Sequence, residues 1–525
     1  MKAYHNIQKT GLFVFLIGLF IFTASSFFGE YKLTQEIANN TFTEQQIGNI
    51  GDQLSAEIVD KEYTSPNALA SEIIAIYNSK NEELKANQDW NNVMWDSPSS
   101  IAFSAVKASD TGIFSQSPWL MFLLTFGLGI LGSLMYIVPT VITLGPKGIK
   151  NNGIYHSAAT NRGWIGILTL VYLVTFYVVL YFYPYLVVNQ VSIVNPISLA
   201  LSGNGASQWF LYGFMYCTVM VVMAIKMYIK YRHNRYQIIR TSSVLFFQIA
   251  FAFLIPEILV RFNMPYMDFK NAWPLDYDFF FDWNINNLIN SGNIGLFMLV
   301  WGIVLTVIIV PIMVYFYGKR WYCSWVCGCG GLAETLGDPY RQLSDKSIKS
   351  WKLERWLIHG VLVFAIIMTG GALYTYITGA QEVLGIATYD LQKTYGFLIG
   401  SIFSGVIGTG FYPVLGNRTW CRFGCPLAAY MGLVQRFKSR FRITTNGGQC
   451  ISCGNCSTYC EQGIDVRAYA QKGQNIVRAS CVGCGVCSAV CPRGVLKLEN
   501  GPEEGRIDDN PFMIGSDGIK MNTEA

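Results

Sequence analysis

Eight stretches of this chain are apolar for long enough to cross a bilayer, and together they decide most of what it can fold into. They lie near residues 11–28, 119–144, 164–188, 209–229, 241–260, 292–317, 356–377 and 395–416, each close to the ~20 residues that the hydrocarbon core demands of a helix. No water is available there to satisfy backbone N–H and C=O groups, so such segments are helical. The composition agrees: 52% of residues are hydrophobic, only 14% are charged, and the mean hydropathy is +0.32. These are values of a multispanning membrane protein and exclude an ordinary soluble fold. The expected architecture is mainly α, a polytopic bundle of about eight spans.

The net charge of +5 says little, but its distribution orients the bundle. The short connections 145–163, 226–240 and 318–355 hold 3, 5 and 7 Lys and Arg, whereas 189–208, 261–291 and 378–394 hold 0, 2 and 1. By the positive-inside rule the first set is cytoplasmic, and so are both termini of this multi-pass chain in a bacterial inner membrane. Residues 1–29 read as a membrane anchor. A cleaved secretory signal is the alternative, with Lys2 and Lys9 ahead of the apolar core and Ala24-Ser25-Ser26 near its end, but the core is longer than a usual signal h-region. Residues 30–118 follow as an extracytoplasmic helical segment, with apolar periodicity in Leu54, Ile58, Ala70, Ile73, Ile74, Ile76 and Tyr77. Residues 119–290 carry spans two to five, and 291–440 the last three. A distinct module occupies 441–500, and a polar tail 501–525.

That module contains Cys450-x2-Cys453-x2-Cys456-x3-Cys460 and Cys481-x2-Cys484-x2-Cys487-x3-Cys491-Pro492. Three thiolates on a tight turn hold three irons of a cubane, and the fourth cysteine of each run crosses to the other cluster. The expected ligands of one [4Fe-4S] cluster are Cys450, Cys453, Cys456 and Cys491, and those of the second are Cys481, Cys484, Cys487 and Cys460. Gly454, Gly483 and Gly485 permit close backbone approach to the sulfides. The first run ends Cys460-Glu461, without the proline. Structural zinc sites also use short cysteine pairs, yet two complete runs of four exceed their need. The module thus reads as a ferredoxin-like two-cluster α+β domain on the cytoplasmic side, where thiols stay reduced.

A second constellation is an internal repeat. Gly318-Lys-Arg-Trp-Tyr-Cys323-Ser-Trp-Val-Cys327-Gly and Gly416-Asn-Arg-Thr-Trp-Cys421-Arg-Phe-Gly-Cys425-Pro align over eleven positions without a gap, each just after a span. On a helix the i, i+4 spacing places both sulfurs of a copy on one face. Two copies brought together offer four thiolates, Cys323, Cys327, Cys421 and Cys425, enough for a third iron–sulfur cluster. Arg320, Arg418 and Arg422 are positioned to balance its charge. The same four cysteines also suit a Cu(I) or zinc site, a reversible disulfide, or packing. Cys329 is a spare thiol, and Cys217 reads as packing within a span.

Paired Cys-x3-Cys motifs at span ends, followed by a two-cluster ferredoxin, resemble the membrane polyferredoxins of the NapH and NosR type over residues about 292–500. The resemblance implies a protein that passes electrons from quinol or a cytoplasmic donor across the inner membrane toward periplasmic reductases, cytochromes or their maturation, as part of a membrane complex. The family repeat commonly reads Cys-x3-Cys-Pro; here the second copy has Pro426 and the first has Gly328. NosR-like relatives carry a larger periplasmic flavin domain with a threonine attachment motif, which residues 30–118 lack. Copper-reducing relatives of the CcoG type add a C-terminal sandwich domain, whereas only 501–525 follow the clusters here. NapH-like proteins have about half as many spans, so the additional N-terminal spans fall outside the resemblance.

Haem has little footing. Of the histidines, His156, His233 and His359 map to cytoplasmic connections or to a span end, and His5 to the N-terminus. A quinone site has one candidate acid, Glu257, near the outer end of span five; snorkelling toward Arg261 explains it equally well. The aromatic and acidic stretch 262–283 reads as an interfacial belt. The expected function is that of an iron–sulfur electron-transfer protein of a respiratory chain, in the manner of a quinol dehydrogenase subunit, with redox partners and no nucleic acid. The competing classes are a copper-reducing assembly factor acting through Cys323, Cys327, Cys421 and Cys425, and a redox sensor reporting through residues 30–118. No kinase, nucleotide or effector motif supports sensing.

Overall fold

The computed structural model describes residues 2–143, 162–500, 512–515 and 518–521. His156, most of the 145–163 connection and most of the 501–525 tail lie outside the described residues. Among those described, eight helices are long and apolar enough to cross a membrane. Seven coincide with expected spans: Tyr4–Ala24, Pro118–Pro139, Trp164–Phe182, Gln208–Lys230, Arg235–Arg261, Gly292–Tyr317 and Ile348–Thr378. Few strands accompany them, all in two-stranded ribbons.

The eighth is a departure. Pro184–Leu201 falls in the expected 189–208 loop, yet it is a helix. Of its length 61% is buried inside the protein, against 17–33% for the other seven. A lipid-facing helix is bare on most of its circumference, so this one is a packed element of a globular part. Its buried Asn189, Gln190 and Ser192 confirm that. The expected last span, 395–416, forms a helix from Thr388–Tyr395 through Gly396–Ile407. Asp390, Gln392 and Lys393 keep its first half polar, which is why it falls short of the other eight in apolarity.

By contacts the chain resolves into two compact units, residues 1–140 with 175–216, and residues 141–174 with 217–525. In the first, Gly11 and Gly18 of the N-terminal helix meet Gly129 and Gly132 of the next span. A Cβ on Gly18 would stand 2.9 Å from the Thr125 carbonyl oxygen, and one on Gly132 would meet the Phe15 backbone. Small residues at such positions let membrane helices pack backbone to backbone. The 30–118 segment is helical as the periodicity indicates. Thr43 and Gln46 cap Glu44–Glu57 reciprocally, and Ser65 with Pro66 starts Pro66–Ala86. Leu54, Ile58, Leu69, Ala70, Ile73 and Tyr77 form its core. Its floor is the Pro184–Leu201 element: Tyr31 Oη donates to Asn189 Oδ1 at 2.7 Å, and Asn189 Nδ2 donates to Ser25 O and Phe28 O, both at 2.7 Å.

In the second unit the 441–500 module closes on itself. Strand Arg442–Thr445 pairs antiparallel with Leu496–Glu499, from Arg442↔Glu499 to Thr445↔Leu496. Phe441, Ile443, Ile464, Val466, Ile476 and Val495 pack inside, together with Cys456, Cys481 and Cys487. The two runs are built alike: Gly454 (φ 80°) and Gly485 (φ 73°) start the short helices Asn455–Thr458 and Val486–Ala489. Those left-handed φ values require glycine. Residues Phe512–Gly515 and Gly518–Met521 form a hairpin.

Candidate functional site

The eleven-residue repeat is a repeat in space. Gly318 ends the Val310–Tyr317 helix at φ 66°, and Gly416 ends Tyr412–Leu415 at φ 95°. One helical turn follows in each copy, Arg320–Cys323 and Trp420–Gly424. The Cys327 N–H then donates to Tyr322 O at 2.7 Å, and the Cys425 N–H to Trp420 O at 2.9 Å. Here the structure corrects the expected geometry. The two cysteines of a copy do not share one helical face, because the backbone turns extended at the second (ψ 135° at Cys327, 111° at Cys425). That cysteine becomes the N-cap of the next helix, Gly328–Glu334 or Pro426–Lys438. Cys425 Sγ accepts the Ala428 N–H at 3.4 Å, so the partial positive charge of a helix start faces the sulfur.

Cys323, Cys327, Cys421 and Cys425 are all buried in one core cluster. Their thiols act on each other: Cys425 feels Cys421, Cys323 and Cys327, and Cys323 feels Cys421 and Cys327. Burial pushes the Cys421 and Cys425 thiols up. Cys329, a half-buried fifth thiol, donates to Cys327 and draws it down to about 6. Cys217 stands elsewhere, its sulfur 3.9 Å from Gln248 O. Four soft donors converging in the interior fit a thiolate-bound iron–sulfur cluster.

Of the three arginines expected to balance such a centre, only Arg418 reaches it, with Nη1 3.6 Å from Cys421 Sγ and 3.2 Å from Cys323 O. Arg320 stacks on Phe441, 5.0 Å from the ring centre, and Arg422 pairs with Glu354 at 2.7 Å. Lys319, buried and unforeseen, supplies a further cation beside Cys323. Its sequence signal was its place in the repeat, opposite Asn417.

Arg418 also belongs to a buried ionic network. Its Nη2 lies 2.7 Å from Glu334 and 2.8 Å from Glu461. Arg341 reaches Glu334 at 2.6 Å, Glu461 at 2.7 Å and Asp338 at 2.9 Å. Arg240 also contacts Glu334, and Lys226 and Lys230 hold Asp338 at 3.0 and 2.8 Å. Burial opposes ionisation of Glu334, but Arg240, Arg341 and Arg418 outweigh it and hold the carboxyl well below its usual range. Asp338 is likewise held low against burial by Lys230, Lys226 and Arg341. For Glu461 burial prevails over Arg418, and the carboxyl is raised. Five cations face three acids, an excess of positive charge beside the thiols.

In the 441–500 module Cys450, Cys453, Cys456 and Cys491 line one solvent-open pocket, with Cys453 exposed. Cys481, Cys487 and Cys460 approach one another on the inner side. Cys484 does not join them. Its sulfur lies within 4.8 Å of carboxylate oxygens of Glu334 and Glu461, and its C=O is fixed by Gln237 Nε2 at 2.8 Å. Those carboxylates are engaged by guanidiniums, so this trio offers no cation site. The second run abuts the repeat directly, since Ser324 Oγ donates to Val482 O at 2.8 Å.

Both halves of this geometry have counterparts among known proteins. Residues 442–492 match the family described as 4Fe-4S dicluster domain. Residues 297–347 and 396–444, one copy of the repeat in each, match the 4Fe-4S binding domain. These are 4Fe-4S ferredoxin-type domains. The chain is 28% identical across 169 residues to the putative electron transport protein YccM of Escherichia coli K12, covering 28% of this chain and 43% of that one. It is 29% identical across 177 residues to the methylamine utilization ferredoxin-type protein MauN of Paracoccus denitrificans, covering 30% and 55%. It is 24% identical across 165 residues to the uncharacterized protein MJ0749 of Methanocaldococcus jannaschii, covering 30% and 58%. The chain thus spans about half the length of the curated relatives it matches. No solved structure matches. Ferredoxin-type 4Fe-4S domains are thus what this chain shares with proteins named for electron transport.

Proposed function

We propose that the protein is an inner-membrane electron relay whose cysteines hold three [4Fe-4S] clusters in series. Cys450, Cys453, Cys456 and Cys491 form the solvent-open site; Cys481, Cys484, Cys487 and Cys460 form the inner one; Cys323, Cys327, Cys421 and Cys425 form the site at the span ends. Each cluster, when bound, takes up and gives back one electron at a time. The chain's own part is placement and charge. Arg418 and Lys319 offset negative charge at the repeat, and Arg341 and Glu461 tie it to the inner ferredoxin site. The solvent-open site suits a cytoplasmic donor, and the repeat suits a quinol or a membrane or periplasmic redox partner. Both termini face the cytoplasm in this reading.

One observation carries it: the two repeat copies bring four buried cysteines together against the second cysteine run. Iron content and EPR of purified Cys421→Ser beside the parent test it. Loss of about a third of the iron is expected, with two dithionite-reducible signals retained, whereas Cys460→Ser removes the signal of the Cys481, Cys484 and Cys487 site. Unchanged iron in Cys421→Ser would return the repeat cysteines to packing. Lost copper in place of iron would promote the copper-reducing reading.

A further inference from the structure

Four consecutive carbonyls of the second cysteine run are each held by a side chain from outside the ferredoxin-type module. Gln435 Nε2 donates to Cys481 O at 2.8 Å, Ser324 Oγ to Val482 O at 2.8 Å, Tyr236 Oη to Gly483 O at 2.9 Å and Gln237 Nε2 to Cys484 O at 2.8 Å. Gln435, Ser324 and Gln237 are buried, so each lost bond would leave a polar group without water to replace its partner. The donors come from three places: the start of the Arg235–Phe246 helix, the first copy of the repeat, and the Pro426–Lys438 helix that begins at Cys425. Gln435 also accepts the Lys319 N–H at 2.7 Å, which ties the first repeat copy to the same turn. The fit is close. A Cβ on Gly483 would stand 2.5 Å from the Arg320 Cβ, and one on Gly485 would stand 2.7 Å from the Tyr236 ring. Both glycines have left-handed φ, 61° and 73°, and only glycine lets the backbone approach in that way.

Among the four donors, Ser324 differs in what it is attached to. It follows Cys323 directly, as Val482 follows Cys481. A single noncovalent step of 2.8 Å therefore joins a cysteine of the repeat to a cysteine of the inner ferredoxin site, and the rest of that path is backbone and one Cβ. Other links among the described residues are poorer. The one from Cys421 Sγ through Arg418 to Glu461, beside Cys460, crosses two gaps of 3.6 and 2.8 Å. The one from Trp325 through Tyr236 to Gly483 crosses two of 3.2 and 2.9 Å. Gln435 stands ten residues along the chain from Cys425. Electron tunnelling decays steeply across gaps between atoms and far less along covalent bonds. The path with one short gap and the fewest bonds therefore dominates.

We propose that Ser324 is the positioning residue through which electrons pass between the inner ferredoxin site and the repeat site. Its hydroxyl is the bridge, and Gln435, Tyr236 and Gln237 fix the turn at the bonded distance. This deepens, and rests on, the reading that both sites hold clusters. In each passage one electron leaves the inner site, which is oxidised by one, and enters the repeat site, which is reduced by one. No bond forms or breaks, no proton moves, and Ser324 itself is neither oxidised nor reduced. The same path serves the reverse direction.

Freeze-quench EPR of the full chain after mixing with dithionite tests this, because it follows the inner and the repeat-held signals separately. In Ser324→Ala the inner signal should rise at the parental rate and the repeat-held signal several-fold more slowly than in the parent, with iron content and both midpoint potentials unchanged. Hydrogen exchange of the peptide spanning residues 481–485 should also stay parental, since three of the four carbonyls remain held. Ser324→Gly, which removes the same bond, takes its place should the alanine variant lose iron. Ser324→Thr keeps the hydroxyl and should keep the parental rate. A parental rate in Ser324→Ala overturns the inference alone, as does a Ser324→Thr rate equally slow at parental iron and exchange. A slowed rate accompanied by faster exchange or a shifted potential assigns the effect to a loosened turn and overturns it too. Absence of the repeat-held signal from the parent overturns the underlying reading and the inference with it.

Discussion

Glu461 stands where the second cysteine run has Pro492, and the structure gives the exchange a purpose. Its carboxylate is the module's hold on Arg341 and Arg418, and through Arg418 it is one residue removed from Cys421. The spacing made the cysteines legible, because cluster ligation depends on intervals of two and three residues. The partners of Glu461 were not legible, since Glu334, Arg341 and Arg418 are distant in sequence and look like ordinary loop charges. Buried networks of this kind add little net stability when whole but suffer when one member is removed. Glu334 answers to three guanidiniums, so Glu334→Ala is expected to cost about 3–5 kcal/mol, read as a lower thermal midpoint with the membrane fraction retained. A midpoint within error of the parent would mean that water reaches the network. The folded values of Glu334 and Asp338 lie below the usual carboxylate range. Their stabilisation is therefore present above that range and is lost as pH falls through the folded values.

Among elements, apolar length foretold seven helices, and the repeat alignment foretold that two turns would meet. Polar content hid the rest. Pro184–Leu201 carries Asn189, Gln190, Ser192 and Asn195 and reads as a loop until the 30–118 segment is seen to cover it. The 262–281 loop has the tryptophan, tyrosine and acid content of an interfacial belt, and its contacts with Thr306 and Thr369 through Trp273 are not legible in that content. Within the repeat, the i, i+4 rule failed because Pro426 and the Gly328 stretch start new helices at the second cysteine. Gly330 could carry no Cβ there without meeting Cys323 O. Backbone contact also decides the fate of the first helix. Gly132 faces Gly11 and Phe15 so closely that Gly132→Leu must part the two spans, at a cost of roughly 1–3 kcal/mol for overpacking. Crosslinking of cysteines placed at Phe15 and Leu128 reads this out: efficient in the parent background, weak in the variant. Equal crosslinking in both would show that the helices are not held by those glycines.

At the scale of the whole chain, the decisive quantity is the number of crossings. If Pro184–Leu201 crossed the membrane as well as the 388–407 helix, there would be nine spans and the termini would lie on opposite sides. Its 61% burial and its hydrogen bonds to Ser25, Phe28 and Tyr31 argue that it does not cross. In the proposed arrangement the 388–407 helix crosses, because Ile348–Thr378 starts on the ferredoxin side, where Glu354 meets Arg422, and the chain must return there for Cys421 and Cys425 to join Cys323. In the proposed arrangement eight crossings put both termini on one side, and the 15 Lys and Arg of the three basic connections against 3 of the others would make that side the cytoplasm. Single cysteines or reporter fusions in residues 30–118, 189–208, 378–394 and 417–525 should therefore divide two ways. The first three segments are labelled from outside intact cells, and the last only after permeabilisation. Labelling of 30–118 and 189–208 from opposite sides would make Pro184–Leu201 a true span, and labelling of 30–118 and 417–525 from the same side would overturn the count of eight.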